Sequence, residues 1–115
     1  MTLKETLECK ITRYNNSDFG WVQYVRDNLW YIRGTAQRID LDVYRHNTMK
    51  YRLGEFIVET FNMPRDVAWI VLYINQLESD VDFRDLESIL IPDMKVIDNL
   101  CNMYRNLKAQ ESSIS

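Results

Sequence analysis

Few side chains in this sequence have the type and spacing that chemistry requires. His46 is the one histidine among 115 residues, so a multi-histidine metal site is excluded. A nucleophilic dyad with Cys9 or Cys101 is formally open. Cys101, however, falls on the apolar stripe of a predicted helix, where a buried thiol is inert. The two cysteines lie far apart with no C-x-x-C spacing and are expected to be free thiols in a reducing compartment. The acidic segment ESDVDFRDLE, Glu78 to Glu87, invites a calcium test. A helix–loop–helix calcium loop needs oxygen ligands at its first, third and fifth positions, glycine at the sixth and glutamate at the twelfth. Counted from Asp80, the third position is Asp82, but the fifth is Arg84, the sixth Asp85 and the twelfth Ile91. The pattern fails, and a solvated connector explains the acids. Asp40 and Asp42 alternate with apolar residues and fit the outer face of a strand better than an acid–base pair. The three glycines are not clustered, so no loop cradles a phosphate. The expectation is a protein that is not an enzyme, with no catalytic residues, no cofactor and no metal.

Composition narrows the partners. Seventeen acidic against fourteen basic residues leave a net charge of −3, with both signs scattered along the chain. No basic stripe tracks a phosphate backbone, so nucleic acid is not an expected partner. The opening MTLKETLECK has no apolar signal region, and no stretch is long enough to span a bilayer. A soluble protein made in a cytoplasm, without a membrane partner, is expected. On that basis the Asn15-Asn16-Ser17 sequon is a chance match. Apolar residues at 46% and charged residues at 27% describe a globular chain of one domain's length. Three Trp, seven Tyr and four Phe are more than the size demands, and they divide between core filling and a partner surface.

Three zones would position these residues. Residues 1–46 read as a β-rich extension. Glu8 to Tyr14 alternates loosely, YNNSDFG supplies a turn, and WVQYV and LWYIR form a hairpin about Asp27-Asn28. Trp21, Gln23 and Val25 would share one face of it, and Val22, Tyr24 and Arg26 the other. RIDLDVYR then alternates as a half-buried strand with Ile39, Leu41 and Val43 inward. Residues 47–93 read as a helix-helix-strand core. One helix runs from about Thr48 to Asn62 on the stripe Leu53, Phe56, Ile57 and Phe61. A break follows at Pro64, and a second helix spans about Arg65 to Gln76 with Trp69 and Tyr73 on one flank. The short strand Ile89–Ile91 is closed by Pro92. Residues 94–115 read as a final helix, capped by Asp93 and striped by Leu100, Cys101, Tyr104 and Leu107, with a polar tail.

The stretch FNMPRDVAWIVLYINQ followed by DLESILIPD resembles the LysM-like module. It resembles most the version found in small baseplate wedge proteins of contractile-tailed bacteriophages. Phe61-Asn62-Met63-Pro64 stands for the family's turn, Ala68-Trp69-Ile70 for its Trp-rich helix, Asn75 for the helix-ending residue, and Leu90-Ile91-Pro92 for its closing strand. The match covers about residues 47–93. The glycine usual before the closing strand is replaced by Glu87-Ser88, and the opening motif of sugar-binding members is absent. The resemblance implies an α+β fold: a LysM-like β-α-α-β unit, with an N-terminal β-hairpin or meander and a C-terminal helix added. In it, Ile89–Ile91 would pair with a strand within Asp40 to Arg45. It also implies a structural virion subunit, located in the tail baseplate and assembled with other baseplate proteins as a hetero-oligomer. Trp21, Tyr24, Trp30, Tyr31, Trp69 and Tyr73 are the candidate interface residues. The alternatives are a module binding peptidoglycan-type glycans in a groove between helix starts and loops, and a small cytoplasmic adaptor.

Overall fold

The structure, a computed structural model, describes residues 18–114. The Glu8–Tyr14 strand, the turn as far as Ser17, Cys9 and the Asn15-Asn16-Ser17 sequon lie outside the described residues.

The first correction concerns the hairpin. Residues expected as two strands form two helices, α1 (Phe19–Asp27) and α2 (Leu29–Thr35). Asp18 caps α1 by accepting a hydrogen bond from the Trp21 amide at 3.2 Å. Asn28 is the joint between the helices. Its N–H closes onto the Val25 carbonyl, and its own carbonyl accepts from Tyr31 and Ile32. Aromatic and β-branched residues suit either a strand or a buried helix face. Trp21, Val25, Leu29 and Ile32 recur at intervals of four, four and three, which is helical spacing. Trp21, Val25 and Ile32 are fully buried, while Gln23, expected beside them, is exposed.

Strand β1 (Gln37–Asp40) is shorter than the alternation implied. The Asp40 carboxylate accepts the Asp42 amide at 2.9 Å, and this Asx-type bond turns the chain into a 3-10 turn at Asp42–Tyr44 and α3 (Arg45–Lys50). Val43, expected inward, is 77% exposed. The helix expected from Thr48 is interrupted by extended backbone at Tyr51 and resumes as α4 (Leu53–Phe61), with Leu53, Phe56 and Ile57 buried. Asn62 ends α4 in the left-handed region, φ 55°, and Met63 N–H closes onto the Ile57 carbonyl. That is a Schellman stop, in a conformation asparagine tolerates better than most residues. After Pro64 come a 3-10 turn (Arg65–Val67) and α5 (Ala68–Ile74).

Strand β2 (Ser88–Ile91) pairs antiparallel with β1, Ile39 opposite Ile89 and Gln37 opposite Ile91. Its partner is thus Gln37–Asp40, overlapping the expected Asp40–Arg45 at one residue. Three α-helices lie between the strands rather than two. The LysM-like β-α-α-β unit with an N-terminal hairpin is therefore not what forms. Among the described residues the protein is mostly helical, a small α+β fold with six α-helices and a two-stranded sheet. Helix α6 (Met94–Ile114) begins at Asp93, whose carboxylate accepts the Lys95 amide at 2.9 Å. Its stripe of Val96, Ile97, Leu100, Cys101 and Tyr104 enters the same core as Trp21, Phe56, Ile70 and Ile89. Cys101 is disulfide-bonded, so the free thiol expected there is corrected as well.

Candidate protein-docking face

Helices α1 and α2 pack against α6, and that packing sorts the aromatic residues. Ile32 faces inward and anchors α2, which leaves its neighbours Trp30 and Tyr31 directed outward. Trp30 is 74% exposed and Tyr31 is 41% exposed. The two rings meet edge to face with centroids 5.8 Å apart. Beside them a cavity of about 550 Å³ opens between α2 and α6. Leu100 and Met103 supply its apolar wall, and Asn28, Asn99, Asn102 and Asn106 its polar rim. No lining residue is charged. This arrangement can cover an uncharged partner surface, with rings and a thioether for apolar contact and amides for hydrogen bonding.

A second cavity, about 400 Å³, opens where the start of α1 meets the distal part of α6, between Phe19, Tyr24, Tyr104 and Leu107. Phe19 is 79% exposed. At its base Tyr104 donates a hydrogen bond to the Asp18 carboxylate at 3.0 Å. Gly20 makes this approach possible, because a Cβ at that position would collide with the Tyr104 hydroxyl. Burial works to raise the Asp18 carboxyl. The Trp21 amide, the Tyr104 hydroxyl, the Lys108 charge and the Gly20 amide outweigh it and hold the group below the ordinary aspartate range. Burial, and then the hydrogen bond and charge of Asp18, push the Tyr104 phenol above its ordinary value, with Lys108 opposing.

The predicted interface residues separate into three groups. Trp21 is fully buried and packs on Tyr104, ring centroids 5.8 Å apart; it fills the core and cannot anchor a partner. Tyr24, Trp69 and Tyr73 are half-buried against that core or its edge. The Tyr73 hydroxyl accepts from Arg26 at 2.9 Å, which ties α5 to α1. Only Trp30 and Tyr31 come together at the surface. The motif residues act in the architecture: Pro64 precedes the 3-10 turn, Ile91 and Pro92 are buried, and Asn75 bonds to Leu90.

Sequence reasoning passed over Asn99, Asn102, Met103 and Asn106. Their signal was present: three asparagines at helical spacing inside a 21-residue helix, where asparagine is a poor helix former.

No protein-family model, no curated protein and no solved structure matches this chain. Among the described residues, no helix is long and apolar enough to cross a membrane.

Proposed function

We propose that this chain is a non-enzymatic structural subunit that docks neighbouring proteins, set in the tail baseplate of a contractile phage as part of a hetero-oligomeric assembly. One observation carries the docking reading: Trp30 and Tyr31 stand exposed together beside an uncharged cavity bounded by Met103. Exposed aromatic clusters of this kind are what interfaces bury. The phage setting rests on the motif resemblance between Phe61 and Pro92.

The glycan-binding alternative has weaker support. It requires an open groove between the helix starts and the connecting loops. Those segments are joined by Arg45, which donates to the carbonyls of Arg84 at 2.7 Å and Leu86 at 3.1 Å. Arg84 in turn donates to the Tyr51 carbonyl at 3.1 Å.

The test is electron cryomicroscopy of particles purified from the source, with wild-type chain and with a Trp30→Ser, Tyr31→Ser double variant. The proposal expects density for the chain at the baseplate with Trp30 covered by a different subunit, and incorporation reduced about tenfold or more in the variant. Particles lacking the chain, or a variant incorporated as well as wild type, would overturn it.

A further inference from the structure

The last turn of α2, the outer face of the sheet and the end of α5 border a small open cavity of about 170 Å³, lined by none of the residues of the aromatic face. Two arginines line it, Arg33 from α2 and Arg38 from β1. No lining residue is acidic. Among the described residues no carboxylate lies within ion-pairing distance of either arginine. Asp40, which shares the outer face of β1 with Arg38, has its Oδ1 occupied by the Asp42 amide. In a chain of net charge −3, two unneutralised cations facing one cavity are out of keeping with the rest of the surface.

Ser88 and Asn75, two of the three other polar lining residues, fit the same picture. Arg38 Nη1 donates to the Ser88 hydroxyl at 3.0 Å, which leaves the Ser88 proton available to donate into the cavity. Asn75, also on the wall, is committed to Leu90 and Val71 and offers no competing acceptor. Two cations that border one cavity repel each other, and a shared anion converts that cost into attraction. Planar guanidinium forks match oxyanions in shape as well as charge. The volume is below the ~300–1,000 Å³ of a small-molecule pocket, so it suits one anionic group rather than a whole ligand.

We propose that this cavity is an oxyanion-binding site, taking a carboxylate or phosphate group between Arg33, Arg38 and the Ser88 hydroxyl. The site stands independently of the docking function proposed above.

The experiment is a solution NMR titration of the full chain with inorganic phosphate and, separately, acetate, at constant ionic strength set with chloride. Arginine Nε–H and backbone amide signals are followed. Saturable shifts are expected at Arg33, Arg38 and Ser88, with Arg26 unmoved. Arg33→Gln and Arg38→Gln, both exposed positions, should each weaken binding by about tenfold or more. Phosphate binding clearly tighter than acetate assigns a phosphoryl group as the ligand, and equal or tighter acetate assigns a carboxylate. Shifts that do not saturate, that appear equally at Arg26, or that persist in both variants would overturn the proposal.

Discussion

Asn75 pairs with Leu90 as a neighbouring strand would. Its side-chain Nδ2 donates to the Leu90 carbonyl and its Oδ1 accepts the Leu90 amide, both at 2.8 Å. The same Nδ2 reaches back to the Val71 carbonyl at 2.8 Å. Leu90 stands opposite Arg38 in the antiparallel ladder, at a position whose backbone groups face away from β1. One amide side chain therefore closes the outer edge of β2 and joins it to the end of α5.

Replacing Asn75 with Ala should cost about 2–3 kcal/mol, because it leaves the part-buried backbone groups of Leu90 without partners. Asn75→Asp retains an acceptor for the Leu90 amide but sets a carboxylate oxygen against two carbonyls. It should be destabilising at neutral pH and recover partly once the carboxyl is protonated. Urea unfolding at pH 7 and pH 4 checks both, and wild-type stability in Asn75→Ala would remove the clamp from the account.

Trp21 and Trp30 should behave as opposites. Trp21 is enclosed by the core, so Trp21→Ala is expected to cost about 3–5 kcal/mol. Trp30 is mostly in solvent, and Trp30→Ala should change stability by no more than about 0.5 kcal/mol. Chemical denaturation of both variants separates the core aromatic from the docking aromatic. Comparable losses would contradict the assignment.

The Asp18–Tyr104 contact gives stability a dependence on pH at both ends. Asp18 has its pKa lowered in the fold, so its contribution is present above the unfolded aspartate value of ~3.9 and is lost as pH falls through the lower folded value. Tyr104 has its pKa raised, so its contribution is complete below the unfolded value of ~10 and is lost as pH rises through the higher folded value. Melting temperature against pH should fall at both extremes. In Tyr104→Phe the alkaline fall should shrink, and in Asp18→Asn the acid one. Unchanged profiles would show that the contact does not form in solution.

Gln76 holds a left-handed backbone, φ 56°, where it ends α5 and Leu77 N–H closes onto the Leu72 carbonyl. A side chain in this region costs about 1–2 kcal/mol, part of which glycine returns as lost chain entropy. Gln76→Gly is expected to stabilise the protein by about 0.5–1 kcal/mol, read from urea midpoints. A destabilised variant would mean that the Gln76 side chain makes a compensating contact.

Features that depend on a few neighbouring residues could be read directly from the chain. Pro92 stops the strand expected at Ile89–Ile91 and found at Ser88–Ile91, and Asp93 starts α6. The expected stripe faces the core as far as Tyr104, while Leu107, expected to continue it, is 46% exposed. The stop, the cap and the stripe each have a reason contained within a turn or two of backbone. The helix break before Pro64 was legible on the same terms. Residues 19–35 were not, because runs rich in Trp, Tyr, Val and Ile satisfy a strand and a buried helix equally well. Packing against α6 decided for helix, and it placed Trp21 inside and Trp30 outside although the two residues have the same chemistry. Asn75 could be picked out by motif, but its task could not, since Leu90 lies fifteen residues away. The convergence of Arg33 and Arg38 with Ser88 likewise exists only once the strands have paired. Local stops and caps are decided by short-range sterics and hydrogen bonds. Exposure, and the grouping of distant side chains into a site, follow from which surfaces meet when the core closes.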